Sequence, residues 1–398
     1  MKEKRKGEWP VKTLRNEMES HLKNDLLPFW MKLRDDRGGY FGRVTFDGTP
    51  DWEADKGVIL HSRILWFFSN CAMALDDRLA LEHAAHAYRW IRDYCFDRVH
   101  GGLYWSVTKD GRPADDAKHT YNLAFGIYAL SSYYLASGEG ESLELAYSLF
   151  DTIEEKCRLG NGYGESYRVD FTPEDNVKLS GNGVIAERTM NSLLHLYEGY
   201  TELYRADHDP RVGKALAGMM DLVLYHVFNP EGRRLEVLFD RDWQSLVNVH
   251  SYGHDVEAAW LLDRGAEVLG EPDYLRKIGD MTAILADSVY HRAFREGSLL
   301  PEWENGVDKT ERVWWVQAET VVGFYHTWQK TGEERYRAAA RAVWDFIREY
   351  MIDRTHGGEW FGSLNGDGSI RGRGDLVGPW KCPYHNGRMC LEIMNRVQ

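Results

Sequence analysis

The stretch SYGHDVEAAWLL, residues 251–262, sets His254 and Glu257 three positions apart, and WKCPYHN, residues 380–386, sets His385 near the start of the last helical segment. On a helix, residues three apart share a face, so the imidazole and the carboxylate project together. An unperturbed imidazole has a pKa of about 6.5, so of two histidines over one substrate one can accept a proton while the other gives one. Glu257, hydrogen-bonded to the far nitrogen of His254, would fix that ring's tautomer and raise its basicity. The same pair could ligate a metal, but HExxH, paired cysteines and a dense aspartate loop are absent from the sequence, and no metal is expected. GNGYG at 160–164 is not set between a strand and a helix, and there is no GxSxG, so neither a nicotinamide cofactor nor a serine nucleophile is expected.

The chain of 398 residues has a formal net charge of −13, which argues against a nucleic-acid-binding face and favours a neutral ligand. Hydrophobic residues make up 43%, with no run near the roughly 18 apolar residues of a membrane span, so a soluble protein is expected. MKEKRKGEWP, residues 1–10, has the charge of a signal-peptide start, but no apolar stretch follows, and the expected location is cytoplasmic. Five cysteines without a CxxC pair suggest neither a disulfide framework nor a zinc knuckle. The unusual feature is 15 Trp and 22 Tyr, whose faces stack on the apolar C–H faces of sugars.

Groups from distant stretches need a scaffold that brings them together. Twelve segments have helical length and period: 11–34, 57–75, 79–96, 118–136, 141–157, 184–204, 211–228, 251–269, 274–294, 312–329, 334–351 and 383–394. Between alternate pairs lies a glycine-nucleated loop, and from Gly38 through Gly101, Gly162, Gly232, Gly297 and Gly357 the steps are 63, 61, 70, 65 and 60 residues. Six such loops at near-even spacing are a repeat. Each unit reads as two helices and a short hairpin, and a helical hairpin cannot bury both its faces alone. Apolar LLPFW and CLEIM at the two ends are not the polar caps of an open solenoid, so the series closes and pairs the first helix with the last. The expected fold is all-α, an (α/α)6 barrel of twelve helices with short β-hairpin loops at one end, as one domain over residues 1–398.

Equivalent positions in a ring point to one end, so the inner-helix starts converge on one mouth. They carry Arg63, Tyr121 with Asn122, Asn191 with His195, His254 with Glu257, then Trp314, Trp315, Gln317 and Glu319, and finally His385 with Asn386. Each has a plainer reading. A lone helical histidine is more often a satisfied structural group, and Arg63 could be a buried ion-pair partner of Glu319 or Asp55. Trp314 and Trp315 lie about 100° apart on a helix, which puts one of them in the core.

Together, SRILW, HTYNLAFGIYAL, MNSLLHLYE, SYGHDVEAAWLL, RVWWVQAE and GPWKCPYHNGRMCLE resemble the cellobiose 2-epimerases, a branch of the N-acylglucosamine 2-epimerase superfamily, over essentially the whole chain. SYGHD and WWVQAE are shared in variant form across the superfamily, whereas PWKCPYHN resembles the cellobiose branch. The resemblance implies the same (α/α)6 barrel that the repeat gives independently. It implies reversible epimerisation at C2 of the reducing-end glucose of a β-1,4-linked disaccharide: cellobiose to glucosyl-mannose, and lactose to epilactose. No cofactor, nucleic acid or membrane is expected to take part, and a monomer is expected. By the same resemblance His254 and His385 are the acid/base pair, His195 and Arg63 lie beside the oxygens at C1 and C2, and Glu257 orients His254. Trp380 and one of Trp314 and Trp315 stack on sugar rings, and Tyr121, Asn191 and Glu319 match further pocket positions.

The chemistry needs such groups. Epimerisation requires an open-chain aldehyde, loss of a weakly acidic proton next to the carbonyl, and its return on the opposite face. A cation such as Arg63 suits the enediolate, one donor of this kind being worth roughly 3 kcal/mol. Other readings stay open. An N-acylglucosamine 2-epimerase or a mannose epimerase or isomerase would use nearly the same residues. An inverting glycoside hydrolase would need two carboxylates about 6.5–9.5 Å apart. A non-catalytic sugar-binding protein would keep the tryptophans without needing two mouth histidines.

Overall fold

Five largely buried helices stop in the same way in the computed structural model, which describes residues 11–397. Val58–Leu75, Thr120–Ser137, Met190–Asp207, Tyr252–Leu269 and Trp314–Thr331 each end on a left-handed residue: Asp76, Gly138, His208, Gly270 and Gly332. That conformation closes the last turn and reverses the chain within two residues. An antiparallel partner follows each time: 78–95, Gly140–Lys156, 210–227, Pro272–Ala293 and 334–351. The sixth pair is made across the chain, where 11–32 packs on His385–Arg396. In chain order these are α1 (11–32) to α12 (His385–Arg396), and the even-numbered helices form the inner ring. The basic stretch 1–10 lies outside the described residues.

Composition sorts the two rings. α2 (Val58–Leu75) and α4 (Thr120–Ser137) are buried on nearly every side, whereas α11 (334–351) buries one stripe that includes Tyr336, Ala339, Ala340, Val343, Trp344 and Ile347 and turns its other face outward. By length and composition α2 could cross a membrane; here it is a wall of the ring between α4 and α12. Small residues bring the inner helices close. A Cβ on Gly323 of α10 (Trp314–Thr331) would lie 2.5 Å from the Val256 carbonyl oxygen of α8 (Tyr252–Leu269).

The expected hairpins are present at one end, and they also tie the repeats together. The strand ahead of each inner helix pairs antiparallel with the next repeat's hairpin: Lys56 with Val107, Lys118 with Tyr167, Arg188 with Phe239, Val249 with Glu304 and Arg312 with Leu364. Val377, ahead of α12, pairs with Val44, so the ladder runs full circle. At the opposite end of the seam Arg15 Nη1 donates to the Val397 carbonyl oxygen at 3.0 Å.

The differences from the sequence reading lie at element edges. Four outer helices widen into π-helical turns at 22–26, 91–95, 223–227 and 347–351, which a 3.6-residue period cannot reveal. The segment expected from 184 begins as a helix only at Met190, because the residues before it belong to a loop crossing the mouth and to the strand Arg188–Thr189. In two hairpins the left-handed residue is not the counted glycine: Gly160 serves instead of Gly162, and Arg233 instead of Gly232.

Candidate active site

Where the hairpins meet the inner helices lies a cavity of about 370 Å³, within the range of small-molecule sites. Into it project Arg63 from α2, Tyr121 from α4, Asn191 and His195 from α6 (Met190–Asp207), His254 and Glu257 from α8, Trp314 and Trp315 from α10, and Trp380 and His385 at the start of α12. All but Trp380, which lies in the loop five residues ahead of α12, stand in the first two turns of their helices, which is why residues so distant in sequence meet. Of the candidates, Glu319 does not line the cavity. It stands behind the wall, where its Oε1 bonds His385 Nδ1 at 2.7 Å.

That contact leaves His385 Nε2 for the cavity. Glu319 accepts from Trp260 Nε1 at 3.0 Å and from Arg388 Nη2 at 2.6 Å. His254 is held differently: its Nδ1 bonds Ser251 Oγ at 2.7 Å. Glu257 therefore does not orient His254 as expected. Its Oε1 accepts from Arg388 Nη2 and lies 4.0 Å from His385 Nδ1. The helical spacing fixed the shared face, but the buried guanidinium draws the carboxylate toward the barrel axis and away from the imidazole above it.

The third histidine, His195, is backed by Glu198 Oε2 at 3.0 Å, and Glu198 in turn accepts from Arg388 and the Tyr384 hydroxyl. Arg63 pairs with neither Glu319 nor Asp55. It donates to the Tyr121 hydroxyl at 2.8 Å and to Cys382 Sγ at 3.8 Å, with its guanidinium over the rings of Phe125 and Tyr384. Its charge is thus offered to the cavity. Asn191 Oδ1 is buried without a protein partner, an acceptor available to a ligand hydroxyl.

Trp314 is buried in the core, as expected of one of the pair, and Trp315 is half-buried, but both line the cavity. Trp314 stands edge-on to His385 at 5.4 Å, and Trp315 lies 4.8 Å from His254 and 5.5 Å from His385. They occupy the first turn of α10, where the cavity wraps over the helix end instead of running along one side. Trp380, 43% exposed, sits at the rim 5.8 Å from Tyr121.

Burial sets the charge states. It holds His254 down at about 3 and His385 well below the usual range, the latter helped by the charges of Arg388 and Arg63. His195 is also lowered by burial, in spite of Glu198. All three rings are therefore neutral in the free protein near neutral pH. Burial works against Glu198 as well, but Arg388 and His195 hold it at about 2. Burial, then the neighbouring Glu319, pushes Glu257 up to about 8, and burial also raises Glu319.

Glu257, Glu319 and His385 lie close enough together to share a cation. Arg388 already supplies that charge, with Nη2 on both carboxylates. The sequence reading missed Arg388 and Glu198, yet a signal existed. His195 with Glu198 and His385 with Arg388 repeat the three-residue step of His254 with Glu257. It also missed Lys178, Leu179 and Ser180, which reach the cavity from the loop after 167. That loop is tied across the mouth by Lys178 Nζ to Asp115 and Asn182 Nδ2 to Glu304, each at 2.6 Å. Asn122, Gln317 and Asn386 turn away from the mouth and bond Tyr104, Leu299 and Glu359 around the hairpins.

A double helical ring whose aromatic-walled cavity holds buried, individually backed imidazoles defines an (α/α)6 enzyme built for proton transfer. The chain belongs to the N-acylglucosamine 2-epimerase family, whose model matches residues 39–386. It is 46% identical over 383 residues to the cellobiose 2-epimerase of Ruminococcus albus, covering 96% of this chain and 98% of that one. Among solved structures, a sugar epimerase from a ruminal bacterium superposes with a TM-score of 0.95 at 45% identity, over 96% of this chain and 99% of the other. A cellobiose 2-epimerase from Bacillus thermoamylovorans gives 0.94 at 41% identity, over 97% and 100%.

Proposed function

We propose that this chain reversibly epimerises C2 of the reducing-end glucose of β-1,4-linked disaccharides, cellobiose to glucosyl-mannose and lactose to epilactose. The names of its relatives support the substrate. The observation that carries the mechanism is the placement of His254 and His385 on inner helices separated by one other, facing one cavity, each with Nδ1 tied to a different group behind it.

With the sugar in its open-chain form, one imidazole takes the C2 proton and the electron pair moves toward O1. Arg63, which pairs with no carboxylate among the described residues, stabilises the enediolate. The other imidazole returns a proton to the opposite face, and the roles exchange in reverse. The reaction is redox-neutral and calls for no cofactor. Trp315 and Trp380 offer faces to the sugars, with the second sugar at the open rim beside Trp380 and Lys178. A monomer suffices, because every group named comes from one chain; light scattering checks this. The hydrolase reading loses ground because the only carboxylate among the described lining residues that the ten candidates contribute is Glu257, already engaged by Arg388.

The test is incubation with cellobiose and EDTA in heavy water, without nucleotide. Glucosyl-mannose carrying deuterium at C2 is expected, and His254→Ala and His385→Ala each abolish its formation. Free glucose as the product would replace this reading with hydrolysis. Turnover of mannose or N-acetylglucosamine but not cellobiose would move the protein to another branch of the family.

A further inference from the structure

Two neutral imidazoles cannot complete an epimerisation. A neutral ring that returned a proton to C2 would become an imidazolate, so the site must hold one more proton than the free histidines carry. Beneath His385, three buried carboxylates, Glu198, Glu257 and Glu319, converge on the single guanidinium of Arg388. Fully ionised, that cluster would bury two negative charges more than it neutralises.

The hydrogen bonds show where relief falls. Both oxygens of Glu198 accept from charged or ring donors, and both oxygens of Glu319 accept from Arg388 and Trp260. Glu257 differs. Its Oε1 accepts from Arg388, but its Oε2 is buried with no partner among the described residues. An unpartnered buried oxygen costs far less in a neutral carboxyl than in an anion. Glu257 Oε1 and Glu319 Oε1 flank the same Arg388 nitrogen and lie 4.0 and 2.7 Å from His385 Nδ1.

We propose that Glu257 and Glu319, clamped by Arg388, share one proton and deliver it to His385 Nδ1, so that the ring can give its Nε2 proton to the substrate. The inference rests on the two-histidine reading above. In the step, the shared proton leaves Glu319 Oε1, 2.7 Å from His385 Nδ1, as Nδ1–H forms, and Nε2–H breaks as C2–H forms. The enediolate's electron pair makes the new C–H bond and the C1 carbonyl is restored. Two carboxylates remain; the proton that His254 took from C2 leaves to solvent, and solvent returns one to the pair. The charged and titratable groups facing the pair are Arg388, Glu198, His385, Tyr384, Tyr121 and, across the cavity, His254. Burial raises both, helped at Glu257 by the charge of Glu319 and at Glu319 by that of Glu198.

Infrared difference spectroscopy on the full chain without substrate reads this proton directly, as the C=O stretch of a protonated carboxyl. A band near neutral pH that is lost on titration to alkaline pH and absent from Glu257→Gln is expected; Glu165, which burial also raises to about 7, gives another that this variant keeps. Glu319→Gln is a second variant: without its partner's charge Glu257 ionises, and the band is lost again. In kinetics, Glu257→Gln keeps KM and the melting temperature but loses kcat by on the order of 10²–10⁴-fold, the usual range for general acid–base catalysis. Glu257→Asp, which still carries a proton, recovers part of the loss. A wild-type protein with no such band near neutral pH, or Glu257→Gln with wild-type kcat, overturns the proposal. The band is read without turnover. If it is present in a protein that leaves cellobiose unchanged, the proton store stands and the substrate reading fails.

Discussion

Arg63 is the group whose replacement separates charge from geometry. Arg63→Lys keeps a cation but loses the bond to the Tyr121 hydroxyl and the stacking on Phe125 and Tyr384. A drop of about 100-fold in kcat/KM on cellobiose is expected, close to the roughly 3 kcal/mol of one oxyanion donor, with an unchanged melting curve. An equal loss in stability and activity would mean that the residue only packs. At this scale the sequence disclosed ten of the residues that face the cavity, because residue type and repeat phase point to the mouth together. It did not disclose their partners. Glu319 and His385 are 66 positions apart, and Arg388 and Glu198 are 190 apart. Such pairs exist only once the ring has closed, and a three-residue step fixes a shared face without saying which neighbour the carboxylate will choose.

Helix ends, more than helix sides, build the cavity. A Cβ on Gly253 would lie 2.6 Å from the Trp315 ring, so Gly253→Ala is expected to push that ring off His254 and lower kcat more than it lowers stability. Gly323→Ala, away from the cavity lining, is expected to do the reverse. Its methyl meets the Val256 carbonyl oxygen, and a loss of roughly 1–3 kcal/mol in urea unfolding is expected from overpacking. Helices and hairpins were open to sequence reasoning because both leave a period. The π-helical turns and the loop from 168 to 187 leave none, since the loop is shaped by its anchors at Asp115 and Glu304 and not by its own pattern.

The molecule as a whole carries a pH signature. Burial holds His61 and His254 at about 3, and His83 and His119 at about 4. An unfolded histidine titrates near 6.5, so below that value the unfolded chain binds more protons and stability falls as the pH drops toward 4. Glu165 and Glu257 act in the opposite sense. Burial raises them to about 7 and 8, so the folded chain binds more protons above the ordinary carboxylate range, and stability declines as pH rises through those values. Calorimetry across pH is expected to find the highest melting temperature at about pH 6.5–7, with the steeper decline on the acid side.

The seam between α1 and α12, with Val44 on Val377 and Arg15 on Val397, has a consequence for how the fold is encoded. A circle whose loose ends touch has no privileged starting point. A circular permutant joined across that seam by a short linker, and opened at the Gly138–Glu139 turn where nothing crowds the glycine, is expected to fold into the same enzyme and turn over the same sugar. The order in which the six repeats are written would then be a matter of where the circle was cut.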